Sequence, residues 1–215
     1  MEEPARAANR YGVLIALIVV SYAVSVADDE GSLAFPVAVV QLVTVVFALL
    51  ASGAHRVGRI AALLATLAVL VAVASVLGLT TEQPGALYAV NIVLYLVAPV
   101  VVIRHVLTRP TVDLQALLGA VAAYLLLGML FAFVYRAVAA AQVGAPFFGD
   151  RGTGEMSEFL FFSFVTLTTT GYGNLVPAGN PGQSLAVLET LLGQLFLIVA
   201  LGKVVAAWPG RRGSG

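Results

Sequence analysis

Hydropathy along the chain rises in six long apolar stretches: Tyr11 to Ala27, Leu33 to Ala54, Ile60 to Leu79, Ala86 to Ile103, Leu114 to Tyr135 and Ser184 to Trp208. Each is long enough for a helix to cross a bilayer, and the polar and charged residues gather between them. A further apolar run, Phe159 to Val165, has only seven residues. A helical crossing takes about 20, so this run dips into the membrane and returns on the side it came from. The first four spans have short connectors, are rich in Ala, Val and Leu, and predict a four-helix bundle within residues 1–110. Residues 111–215 supply an outer helix, the re-entrant segment and an inner helix. The predicted fold is thus an all-α membrane protein of six spans with a re-entrant helix between the fifth and sixth.

Local signals refine these elements. The outer helix is expected to start near Thr111, with Asp113 in its first turn against the positive helix end, and to run to about Gln142. Gly144 to Gly154 is rich in turn residues. Ser157 is a candidate cap for the re-entrant helix and Glu158 a first-turn acid. Asn180, Pro181 and Gly182 divide this segment from the inner helix, and Trp208 reads as an interfacial anchor. In the bundle, Pro36 and Pro99 interrupt apolar runs, and Gln41 and Asn91 are expected to hydrogen-bond between helices.

The most unusual string follows the re-entrant run. Thr168, Thr169 and Thr170 precede Gly171, Tyr172 and Gly173. Glycine reaches positive φ without steric cost, so glycines at alternate positions let successive carbonyls turn toward one side. Such a row of oxygens can replace the hydration shell of a cation. Thr169-Thr170-Gly171-Tyr172-Gly173 resembles the selectivity filter of the potassium channel family, Thr-Val-Gly-Tyr-Gly, with Thr170 in the valine place. The resemblance runs from about Thr111 to Trp208, with a short re-entrant helix before the string, Pro177 after it and a long apolar helix on each side. Asn174 stands where that family usually has aspartate, Phe161 and Phe162 where many members have tryptophans, and Val165 where some have a buried glutamate.

The resemblance implies a passive channel selective for potassium. Carbonyls of Thr169, Thr170, Gly171 and Tyr172, with the Thr169 hydroxyl, would hold the permeant ions, and Gly171 and Gly173 would permit the backbone geometry. Each chain would give a quarter of every ring, so the working form would be a homotetramer in the lipid bilayer. The Tyr172 ring would point away from the ions, with Thr166 as its hydrogen-bond partner. No cofactor is implied beyond the potassium ions. A glycine at the Gly193 place is a common bending point of the inner helix in this family, while a small residue there also lets helices approach closely. Glu189 falls on one stripe with Gly193 and Leu197. Placed behind the filter, it is expected to bond to the re-entrant helix or the filter backbone and to support the filter.

Charge and composition narrow the function further. Of 215 residues, 60% are hydrophobic and 10% charged, mean hydropathy is +1.01 and the formal charge is zero. This is a membrane composition without a basic surface for nucleic acid. Placing both termini in the cytoplasm of a multi-pass cell-membrane protein puts nine of the eleven Lys and Arg residues inside, leaving Arg136 and Arg151 outside. His55 and His105 are isolated, there is no cysteine, and Glu189 is the one acid well inside a span. Neither a metal cluster nor an enzyme active site is expected. Ala86 to Ile103 contains no basic residue. Moving charge across the membrane is worth about 2.3 kcal/mol per elementary charge per 100 mV, so the bundle is not expected to sense voltage. The short tails before Tyr11 and after Trp208 are expected to carry no cytoplasmic ligand-binding domain. The alternatives are a non-selective cation channel and a transporter with a re-entrant loop.

Overall fold

The computed structural model describes residues 10–27, 34–51, 92, 95–104, 113–142 and 144–207, and these are entirely helical, turn or loop. Helices α1 (Arg10–Ala27) and α2 (Ala34–Ala51) open the chain. A shorter helix α3 (Tyr95–Arg104) follows. Then come α4 (Leu114–Ala141), a single 3-10 turn at Gly149–Arg151, α5 (Met156–Leu167) and α6 (Asn180–Ala207). Among the described residues three helices are long and apolar enough to cross a membrane: Arg10–Ala27, Leu114–Ala141 and Asn180–Lys203. The expected span Ile60 to Leu79 lies outside the described residues, as do Asn91, His55 and His105.

Caps set the ends of the helices that frame the loop at 168–173. Asp113 is not in the first turn of α4 but is its N-cap, and its Oδ1 accepts from the Ala116 amide at 2.8 Å. That bond satisfies one of the amides a helix start leaves open. At α5 the cap is Glu155 rather than Ser157, which lies inside the first turn. The Glu158 carboxylate accepts from the Glu155 amide at 3.0 Å, so the acid predicted for the first turn also closes the cap. Pro181 sits in the first turn of α6, where its missing N–H costs nothing.

Packing organises the helices around α4. Helix α1 lies against α2, α4 and α5, while α5 lies between α4 and α6. Polar bonds join the N-terminal helices. Gln41 of α2 donates to Ser25 Oγ of α1 at 3.2 Å, as expected of it, and Thr44 Oγ1 reaches the Leu17 carbonyl at 3.3 Å. Ser21 of α1 and Tyr95 of α3 meet at 3.2 Å.

Where α1, α4 and α5 converge, Phe164 fills the gap. Its ring meets Tyr22 edge-on with centroids 5.5 Å apart. On its other side it lies over Gly128, where a Cβ would fall 2.7 Å from the ring, so any larger residue would push the ring aside. Above this, Tyr135, Phe147, Phe148, Phe159 and Phe162 form a buried aromatic cluster that fixes the loop after α4 to the start of α5. Phe162, in a tryptophan place of the resembling family, packs on Tyr135 at 4.9 Å.

Candidate functional site: the loop at Thr168 to Gly173

Helix α5 stops at Thr168 and the chain turns back along α6. Thr169, Gly171 and Gly173 have φ of 58°, 57° and 78°, so every second residue takes the left-handed conformation. Thr169 is the one non-glycine residue with positive φ among the described residues. Holding an L-residue there costs about 1–2 kcal/mol, and such strain persists where the surroundings enforce it. The glycines adopt the same geometry freely.

The surroundings are the last turn of α5. The Thr169 amide donates to the Thr166 carbonyl at 3.0 Å, and the Thr170 and Gly171 amides both donate to the Val165 carbonyl, at 2.9 and 3.3 Å. The amides of Thr169, Thr170 and Gly171 are thus spent on the helix end. Thr168 Oγ1 donates to the Phe164 carbonyl at 2.7 Å and lies 2.9 Å from Thr170 Oγ1. With its own proton used on Phe164, Thr168 accepts from Thr170. A threonine in the valine place therefore ties its hydroxyl back to α5.

Side chains from the flanking helices brace this end of α5. Tyr124 of α4 donates to the Leu167 carbonyl at 3.0 Å. Gly193 of α6 lies against Leu167, where a Cβ would fall 2.8 Å from both Leu167 Cδ1 and the Leu167 carbonyl oxygen. Gly193 thus lets α6 approach the end of α5 closely. Gln194 Nε2 lies 3.5 Å from Thr169 Oγ1. Thr190 Oγ1 donates to the Ala186 carbonyl at 2.9 Å and reaches the Thr166 carbonyl at 3.5 Å. Thr166 itself takes part through that carbonyl.

Farther along, Tyr172 stacks on Phe161 with centroids 6.0 Å apart and planes 10° apart, and remains 71% exposed. Behind it a cavity of about 310 Å³ opens between α5 and the loop, lined by Phe161, Thr166, Gly171, Asn174 and Pro177 among others. Gln183 of α6 donates to the Pro177 carbonyl at 2.9 Å and closes the loop's outer end.

Glu189 is fully buried between α4, α5 and α6. Tyr135 donates to its Oε2 at 2.6 Å, and Ser163 Oγ lies 2.5 Å from its Oε1. The stripe that carries it continues through Gly193 to Phe196, which is partly buried, whereas Leu197 is 43% exposed. Alternating steps of four and three follow the 3.6-residue turn more closely than two steps of four.

The sequence pointed to Thr169–Gly173, Thr166, Glu189 and Gly193, and the fold gathers all of them around the C-terminal end of α5. It adds Tyr124, Tyr135, Ser163, Thr168 and Gln194. Ser163 and Tyr135 had no local signal, since their partner is 26 and 54 residues away along the chain.

Residues 120–208 match the ion channel family. The chain is also similar to the inward rectifier potassium channel Kirbac3.1 of Paramagnetospirillum magnetotacticum, at 36% identity over 83 residues, which is 39% of this chain. The chain covers 26% of that relative's length. No solved structure matches it. The family match falls on most of α4, on α5 and α6 and on the loop they enclose, so this part of the chain is similar to ion channels.

Proposed function

We propose that four copies of this chain form a passive, potassium-selective channel in the cell membrane, with the loop at Thr169 to Gly173 as its filter. The observation that carries this reading is the alternation of left-handed residues at Thr169, Gly171 and Gly173. With the amides of Thr169, Thr170 and Gly171 bound to α5, the carbonyls of this stretch are the groups left for a permeant ion. Four loops around one axis would stack rings of oxygens at Thr169, Thr170, Gly171 and Tyr172, with the Thr169 hydroxyls at the inner end. Thr166 and Glu189 support the filter, and Gly193 is where the inner helix would pivot on α5. Both termini are cytoplasmic in this reading.

Reversal potentials under bi-ionic conditions test it. Purified protein in a planar bilayer should show a reversal displaced strongly toward potassium selectivity, and a value near zero in potassium against sodium would leave a non-selective cation channel. That second reading has one observation in its favour: exposed Asn174 leaves the mouth without the usual negative charge. Strict coupling of flux to a proton or solute gradient would instead indicate a transporter. Voltage dependence should be weak, because α3 bears no basic residue before Arg104 at its end.

A further inference from the structure

Hydrogens can be counted in the cluster that joins the three pore helices. Ser163 Oγ lies 2.5 Å from Glu189 Oε1 and 2.7 Å from the Gly128 carbonyl oxygen. The first lies at the short end of the O–H···O range and the second at its usual length, whereas two oxygens with no hydrogen between them repel and stay farther apart, so each separation holds a hydrogen. The serine hydroxyl supplies one. A carbonyl supplies none, and the Tyr135 proton is already engaged on Oε2 at 2.6 Å. The group left to supply the second hydrogen is the carboxyl of Glu189. Ser163, Glu189, Tyr135 and Gly128 are all buried, so no solvent proton can be borrowed.

We infer that Glu189 carries a proton on Oε1 and donates it to Ser163, and that this proton decides whether Ser163 bonds α5 to α4. With the proton present, the order is Glu189 to Ser163 to the Gly128 carbonyl, and Tyr135 donates to Oε2. All three helices are then joined. Without it, the Ser163 hydroxyl turns toward the carboxylate, because a hydrogen bond to a charged acceptor outweighs one to a carbonyl. Two oxygens at 2.7 Å are then left facing with no hydrogen between them, and the contact beside Gly128 and Phe164 opens. Phe164 also holds the Thr168 hydroxyl through its carbonyl, so the release is passed to the first residues of the loop.

The other ionisable side chains on the elements meeting here are Tyr124, Tyr135 and Arg136 on α4, Glu158 on α5 and Lys203 on α6. Arg136 lies 5.8 Å over the Phe159 ring, and Glu158 closes the cap at the far end of α5. Tyr135 is the one that shares a hydrogen bond with the carboxyl. Glu189 is accordingly a positioning residue whose proton couples the pore helix to the outer helix, and conduction should respond to alkaline pH. This rests on the channel reading for its consequence but not for the proton itself.

The test is infrared difference spectroscopy of the full chain in lipid, wild type against Glu189→Gln, from neutral to alkaline pH. The expected result is the carbonyl band of a protonated carboxylic acid at neutral pH, replaced by carboxylate bands as pH rises. Carboxylate bands at neutral pH would overturn the inference whether or not the protein conducts. Should Glu189→Gln fail to assemble, Tyr135→Phe gives the same answer. Loss of its bond shifts a band in the carboxylic acid region if Glu189 is neutral and in the carboxylate region if it is ionised. The glutamine amide can donate to Ser163 and accept from Tyr135, mimicking the protonated form. Potassium flux into liposomes should therefore vary with alkaline pH in the wild type and lose that variation in Glu189→Gln. Wild-type flux that stays constant while the acid band disappears would remove the switch and leave only the proton.

Discussion

Helices α4 and α6 are both 28 residues long and similarly apolar, yet 56% of the best window of α4 is buried within the chain against 11% of that of α6. Helix α4 is enclosed because α1 and α5 pack on it. Helix α6 uses one stripe, Gly182, Ala186, Glu189, Gly193 and Phe196, against its own chain. Its opposite stripe of Leu188, Leu191, Leu195 and Ile198 is 47% to 63% exposed. The loop at Thr169 to Gly173 is exposed beside it. An exposed apolar stripe beside an exposed loop is what the proposed ring of identical subunits would cover.

The largest effect should come from the inner stripe. Gly193→Ala puts a methyl 2.8 Å from the Leu167 carbonyl oxygen, a backbone atom that cannot step aside. Overpacking of this kind costs about 1–3 kcal/mol, so the thermal midpoint should fall and potassium flux with it. Gly202→Ala, nine residues along the same helix, meets nothing within 4 Å. Replacing glycine by alanine in a helix gains up to about 1 kcal/mol, so its midpoint should hold or rise. Equal effects at the two sites would show that Gly193 acts as a pivot alone and not as a packing contact.

A smaller effect is expected from the exposed stripe. Leu191, 56% exposed in the single chain, should meet another copy. Leu191→Gln would bury an amide without a partner there, at about 1–3 kcal/mol per subunit, and should shift the oligomer toward monomer in light scattering of detergent-solubilised protein. Leu117→Gln on α4, at 47% exposure, should leave the mass unchanged. If Leu191→Gln keeps the oligomer intact, this face of α6 meets lipid instead.

The smallest effect touches neither helix. Asn174 is exposed at the outer end of the loop. Asn174→Asp should raise single-channel conductance at low salt. At about 1 M salt, where the screening length falls to about 3 Å, the gain should vanish. A gain that persists at high salt would mean that the substitution reshapes the loop and does not act through charge.

Features written locally were legible in the sequence. Apolar runs of sufficient length gave α1, α4 and α6 as helices long enough to cross a membrane, because hydropathy needs no knowledge of neighbours. The short apolar run before Thr168 gave the short helix α5, since seven apolar residues are too few for a helix that crosses a bilayer. Alternate glycines gave the loop conformation at Gly171 and Gly173, because only backbone freedom was at issue. Its extension to Thr169 was not local, since a threonine takes positive φ only when the carbonyls of Val165 and Thr166 hold the amides around it. The tertiary structure likewise decided the stripe through Phe196 and the meeting of Tyr135, Ser163 and Glu189. These depend on the angle at which α6 crosses α5 and α4. That angle is set by close approach at Gly193, and no run of residues along one chain segment encodes it.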